Sequence, residues 1–363
     1  MSVNPSRKHL VLLGAGRSHL QVLKGLARQR TGELSISLVA SHPHYIESSM
    51  LAGHVAGEYA LDDVRVPLDA LIEASGAQCA PAHVLGLDPL TRRVQLSSQD
   101  ALGYDVLSID VEPAADRERI DALIPGARRN ALFVHPLETF VQLWPQLLAL
   151  ARERALQVAV IGDGVAGVEL ALAAAHALTA PHGSRVTLVA GQAPLLGDQP
   201  APLQRRALAR LKALHITVLQ DSCLSLDGAS LQLASGASLQ CDAPLVAGGA
   251  DLPAWLLNAG LEADELGQPL VNPRLQSNSH RQVFIVPPDA PPEVGPVLEA
   301  NLRTALDGGS FRKAPLDVSR LRVMGCGDGQ GIAVWGPFSL EGREVWHWKD
   351  RRDRKQLAAL FQV

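Results

Sequence analysis

Gly162, Gly164 and Gly167 stand at GxGxxG spacing in "LQVAVIGDGVAGVELALAAAHAL", between an apolar run and a helical one. The chemistry this spacing serves is diphosphate binding. The first glycine permits a tight turn, the second lets a phosphate approach the backbone, and the third lets helix and strand pack closely. The helix start then turns free N–H groups and the positive end of its dipole toward the anion. "HLVLLGAGRSHLQVLKGLARQ" repeats the theme with Gly14 and Gly16, but His19 takes the third position. Gly14, Gly16, Arg17, Ser18 and His19 are therefore candidate cofactor-binding residues beside Gly162, Gly164 and Gly167.

An acid about 20 residues past each turn would hold a ribose hydroxyl. Neither unit has one. The first ends in Ala40 and Ser41, the second in Ala190 and Gly191, with no arginine in their place. The pattern thus indicates NAD(P)H without choosing between its two forms.

Other chemistries find little support. Cys79, Cys223, Cys241 and Cys326 are far apart, which gives neither a redox dithiol nor zinc spacing. His42 and His44 have no third ligand nearby, so no metal site is expected. No GxSxG elbow exists for a serine nucleophile. "GCGDGQG" (325–331) lies between two strand-like runs and reads as a hairpin turn.

The elements that must position the glycine turns follow from the apolar pattern. Each turn sits in a βαβ unit: "HLVLLGAG", "SHLQVLKGLARQ" and "LSISLVA" form the first, and "LQVAVIGDG", "VAGVELALAAAHAL" and "SRVTLVAG" the second. Between them, 42–59 reads as an irregular loop and 112–126 as a charged connection. A helix is predicted at "PLETFVQLWPQLLALARER" and another at "APLQRRALARLKALH". "CLSLDGASLQLASGASLQC" reads as antiparallel ribbon around Asp-Gly and Ser-Gly turns. "QVFIV" then returns the chain to the first core. The last fifty residues hold two strands, "RLRVMGCG" and "GIAVWGPF", and a charged tail.

With 363 residues, 47% hydrophobic and 19% charged, the chain can bury two cores rich in Ala, Leu and Val. A net charge of -4 argues against nucleic-acid binding. No run is long enough to span a bilayer and "MSVNPSRKHL" lacks a signal core, so a cytoplasmic protein is expected. In the tail, Trp346, Trp348, Leu357, Leu360 and Phe361 alternate with Lys349, Arg351, Arg352, Arg354 and Lys355. That pattern suits a packed helix, a homodimer contact, or weak contact with the inner face of a membrane.

"GAGRSHLQVL", "AGHVAGEY", "YDVLSIDV", "GVAGVELALA" and "WGPFSLEGREVWHWKDRRDRK" resemble the pyridine nucleotide-disulfide oxidoreductase-like proteins related to type II NADH dehydrogenases. The branch also found fused to selenide, water dikinase is the most similar. The resemblance spans nearly the whole chain. It implies an α/β protein with two Rossmann-like dinucleotide-binding domains and a small C-terminal α+β segment. FAD-binding residues 1–120 with 247–310, NAD(P)-binding residues 121–246 and a C-terminal interface segment 311–363 are the implied divisions. It further implies FAD on the first turn and NAD(P)H on the second, with Glu169 near the nicotinamide. A hydride would pass to flavin N5 and on to a small acceptor such as a quinone.

The chain departs from this family at one place. Where the family's strand after "VF" ends in Gly-Asp, this chain has Pro287-Pro288, which supply neither an N–H nor a carboxylate. Asp289, one position later, is the candidate substitute. The stretch before "LEANLRTAL" is also short, and where the family's "SID" strand is followed by a glycine turn this chain reads "SIDVEPAADRERID", which on the same path places Glu112 near the FAD phosphates. The alternative reading is a non-catalytic relative without FAD, kept as a nucleotide-sensing or protein-binding module. A nicotinamide-binding partner for another enzyme is a further variant of it.

Overall fold

The structure, a computed structural model, describes residues 8–29, 34–98, 101–112, 114–178, 182–248, 250–265, 267–288, 290–316 and 321–362. Asp289 lies outside the described residues. The chain opens with β1 (Lys8–Leu13), α1 (Arg17–Arg28) and β2 (Leu34–Val39), then α2 (Leu51–Ala56), β3 (Gln78–Ala80) and β4 (Val106–Ile109). A second series follows: β5 (Leu132–Phe133), α3 (Leu137–Glu153), β6 (Gln157–Ile161), α4 (Val165–Leu178), β7 (Arg185–Val189), α5 (Ala201–Ala213), β8 (Thr217–Leu219) and β9 (Ala243–Val246). β10 (Val283–Ile285) and α6 (Val294–Asp307) precede a terminal sheet of β11 (Leu321–Gly325), β12 (Gly331–Trp335) and β13 (Phe338–Gly342), and α7 (Arg343–Phe361) ends the fold.

Two five-stranded parallel sheets result, ordered β10-β4-β1-β2-β3 and β5-β9-β6-β7-β8. They are the same arrangement twice, since β1 and β6 each sit at the centre with the crossover turning outward on both sides. Leu10 to Leu13 and Val158 to Val160 are buried, as continuous apolar runs in strands covered on both faces must be. Register aligns Leu13 with Val39 on one side and with Ile109 on the other. The C-terminal ends of the central strands, and the glycine turns after them, therefore open into the crevice where strand order reverses.

The C-terminal segment is attached to both units. Met324, Cys326, Ile332 and Val334 of the terminal sheet enter the core built around α3 and α4. Leu357 and Leu360 of α7 enter the core built on β1, α1 and α6.

Three expectations need correction. Residues 42–59 contain a strand, His44–Ile46, paired antiparallel with Arg65–Pro67, and the helix α2 closed by Gly57 at φ +84°. These elements are too short for hydrophobic periodicity to show. The connection at 112–126 contains a helix, Arg117–Leu123, capped by Asp116, whose carboxylate accepts from the Glu118 and Arg119 amides at 3.1 and 2.9 Å. The terminal sheet has a third strand, β13, whereas the tail forms the packed helix that its pattern suits, α7 of nineteen residues. "GCGDGQG" does form the turn of the β11–β12 hairpin. No helix among the described residues is long and apolar enough to cross a membrane.

Candidate functional site

At the first turn, Gly14 adopts φ +88°, and a Cβ there would lie 2.3 Å from the Asp110 carbonyl oxygen. The turn is pinned to the end of β4, with the Gly16 amide donating to that same carbonyl at 3.1 Å. The Asp110 carboxylate accepts from the His19 amide at 3.0 Å and complements the start of α1. The amides of Arg17 and Ser18 keep no acceptor among the described residues, so they are the groups an anion would meet.

The side chains of this turn face elsewhere. His19 is fully buried, with Nδ1 2.7 Å from the Gly14 carbonyl and Nε2 2.8 Å from Ser108 Oγ. Burial drives its pKa down, so the ring is neutral. A carbonyl can only accept, so Nδ1 carries the proton and Nε2 accepts from the Ser108 hydroxyl. His19 thus braces the turn from behind and does not face the cleft. Ser18 is buried. The Arg17 guanidinium pairs with Glu47 and donates to Gln356 of α7 at 3.0 Å, while Tyr45 donates to Glu47 at 3.1 Å.

A cleft of about 340 Å³ opens from Gly14 and Ala15. Its far wall comes from the ends of β2 and β3, through Val39 to His42 and Ala82 to Val84; Trp255 and Pro253 close one side. Two carboxylates also line it. Glu112 follows Val111, whose Cα lies 2.8 Å from where a Gly14 Cβ would be. Crowding by protein, and then Asp110 and Glu138, push the Glu112 carboxyl up to about 7. Glu112 is nonetheless exposed at the cleft surface, so solvent screening tempers that rise. Glu138, the second residue of α3, is only 7% exposed. Its Oε1 accepts from Gln142 at 2.9 Å, and His44 and Arg65 approach to 3.6 and 3.8 Å. Its Oε2 has no hydrogen-bond partner, nor has the buried Nδ1 of His44. Among the described residues, no lysine or arginine lines this cleft.

At the second turn a Cβ on Gly167 would lie 2.6 Å from the Gly162 carbonyl oxygen, so only glycine lets α4 approach β6 this closely. A Cβ on Gly164 would meet nothing within 4 Å, which leaves the backbone open to a ligand. Glu169 does not project freely. Its carboxylate accepts from the Gly325 amide at 2.7 Å and fixes α4 to the terminal sheet. Burial raises its pKa, against the lowering effect of Lys349.

The residues around the first turn match FAD only in part. The two free amides suit the phosphates, and the wall at 39–42 and 82–84 suits the adenosine. The ribitol end has lost a familiar contact, since Pro287 and Pro288 carry no N–H and the Ala290 amide turns back onto the Pro287 carbonyl at 3.0 Å. Glu112 and Glu138 are the misfit within the diphosphate half.

Glu138, His83 and Trp255 were not singled out in the sequence. Glu138 looks like an ordinary acid complementing a helix start, and the other two carry no spacing signal. Topology alone brings them to the cleft.

The family model described as pyridine nucleotide-disulphide oxidoreductase matches residues 8–286. No protein of curated function matches the chain. Among solved structures, the sulfide:quinone oxidoreductase of the hyperthermophilic bacterium Aquifex aeolicus is similar with a TM-score of 0.76 at 16% identity, over 98% of this chain and 91% of that one. NDH2 from Plasmodium falciparum in complex with NADH gives 0.75 at 12% identity, over 98% and 97%. A ferredoxin reductase from Rhodopseudomonas palustris gives 0.72 at 17% identity, over 90% and 82%. At these identities the likeness is one of fold.

Proposed function

Because the chain belongs to the pyridine nucleotide-disulphide oxidoreductase family, we propose that it is a flavin-dependent NAD(P)H oxidoreductase that passes electrons to a small acceptor of the quinone class. One observation carries this reading: the same five-stranded parallel arrangement occurs twice, each time with a glycine turn at the point where strand order reverses. The matched solved structures include a sulfide:quinone oxidoreductase, an NADH complex and an NADPH complex, which supports a nicotinamide donor of either form and a quinone-class acceptor.

In this reading the Arg17 and Ser18 amides hold the FAD diphosphate, and the β2 and β3 ends enclose its adenosine. Gly164 gives the nicotinamide cofactor's diphosphate access to the start of α4, and Gly162 and Gly167 hold that turn in shape. Glu169 orients α4 through Gly325. FAD, when bound, supplies the ring that takes the hydride. The protein's part is to bring the two nucleotides together and exclude water. This reading assigns no role to cysteine: Cys223, Cys241 and Cys326 are buried, and the exposed Cys79 is not among the residues lining the cleft.

The outer face of the terminal sheet exposes Trp335, Phe338 and Leu340. Leu357 and Leu360 of α7 are spent on the core, so these two tail residues are not available for the surface contact the tail pattern suited.

Absorbance tests the proposal. Protein loaded with FAD shows a band near ~450 nm, and anaerobic NADH or NADPH bleaches it. Protein that takes up no FAD but binds NADH points to the second reading, a flavin-free nucleotide-binding relative, which Pro287-Pro288 favours.

A further inference from the structure

The first cleft presents carboxylates to the position its glycine turn prepares for a diphosphate. Glu112 stands immediately after the backbone that packs on Gly14. Glu138 reaches the same cleft from α3, on the second unit, with one carboxylate oxygen buried and unpaired. The Asp110 carboxylate is already committed to the His19 amide. Against these charges the cleft offers three histidines, His42 and His44 from the loop after β2 and His83 from the loop after β3. Arg65 stands behind Glu138 at 3.8 Å, and Arg17 is engaged by Glu47. A diphosphate on the Arg17 and Ser18 amides would therefore face two carboxylates and no permanent cation within the cleft, an arrangement that costs binding energy while both acids are ionised.

We propose that dinucleotide binding at the first unit is coupled to proton uptake, with Glu112 as the gating carboxyl: the diphosphate enters when Glu112 is neutral and is expelled when it ionises. The proposal rests on the FAD reading above and adds a condition to it. Glu112 suits the role better than Glu138, because it stays open to the cleft and can exchange a proton with solvent, whereas Glu138 is enclosed and bonded to Gln142. The elevation of the Glu112 carboxyl to about 7 places the transition where small changes of pH act on it. A protonated Glu112 also turns from a repelling acceptor into a hydrogen-bond donor toward a phosphate oxygen. The gate is recognised by what its removal does at high pH.

The test is FAD and ADP binding to the full chain and to Glu112→Gln, measured by calorimetry at pH 6 and pH 8.5 in buffers of different ionisation enthalpy. The wild type should bind roughly tenfold more weakly for each pH unit above about 7, as expected for one group that must be protonated. Glu112→Gln should match the wild type at pH 6, exceed its affinity by about tenfold or more at pH 8.5, and take up about one proton fewer on binding at the higher pH. Affinity at pH 8.5 that Glu112→Gln leaves unchanged, while FAD binds both proteins, overturns the gate and leaves the flavin reading standing. Absence of FAD and ADP binding by both proteins even at pH 6 overturns the gate and the flavin reading together, and NADH titration of the same samples shows whether the second unit is intact. Circular dichroism on Glu112→Gln confirms that the comparison is between folded proteins.

Discussion

His19 Nε2 lies 2.8 Å from Ser108 Oγ in a site closed to solvent, so the helix after the first glycine turn is bolted to the strand that carries Asp110 and Glu112. Replacing Ser108 by Ala leaves a buried imidazole nitrogen unpaired, which should cost ~1–3 kcal/mol of stability. Urea unfolding of Ser108→Ala measures it. A change below a few tenths of a kcal/mol would show that the bond is not formed.

The two glycines at the second turn should separate folding from binding. Gly167→Ala forces a methyl against the Gly162 carbonyl and should destabilise the protein by ~1–3 kcal/mol. Gly164→Ala meets open space, so thermal stability should move little while NADH affinity falls by roughly tenfold, about 1.4 kcal/mol. The pair of measurements is melting temperature and NADH titration for each variant.

Lys349 and Asp353 form an enclosed ion pair one turn apart on α7, at 2.7 Å, and the Lys349 ammonium also donates to the Ser49 carbonyl. Asp353→Ala strands a buried cation and should cost about 3 kcal/mol or more. The double variant Lys349→Met with Asp353→Leu should recover much of that loss. Denaturant titration of the three proteins gives the comparison, and equal losses in single and double variants would count against the buried pair.

Stability should also carry the signature of Glu112. Its carboxyl is held above the range it has in the unfolded chain, so the folded state retains this proton between the unfolded value near ~4.3 and about 7. The associated stability is complete below that window and is lost as pH rises through it. Between pH 5 and pH 8 the wild type should lose stability relative to Glu112→Gln. The observable is the difference in urea midpoint at each pH, and a difference that does not change with pH would contradict the assignment.

Thiol labelling provides a plain check on the fold. Cys79 is exposed, whereas burial raises Cys223 to about 11 and Cys326 to about 12. Iodoacetamide at pH 8 should place one adduct on the native protein, at Cys79. Rapid labelling of Cys326 would mean that the terminal sheet does not pack on α4.

Both glycine turns were legible because strand, turn and helix are contiguous and their periodicities differ. The pairing of β10 with β4 was not written in any local pattern, although the return of "QVFIV" to the first core hinted at it. Glu112 was noticed as a charge in the wrong place, since it sits beside a motif. Glu138 escaped notice because its partner in the cleft comes from another sheet. His19 shows the limit of motif reading: its position in the fingerprint was evident, but only the fold reveals a ring turned inward onto Ser108.

The terminal sheet is rooted in one half of the molecule and the terminal helix in the other. A swing of one half away from the other would have to uproot Met324 and Ile332 or else Leu357 and Leu360, and each set is anchored in a close-packed interior. The terminal segment thus ties the two glycine turns together like the deck of a bridge.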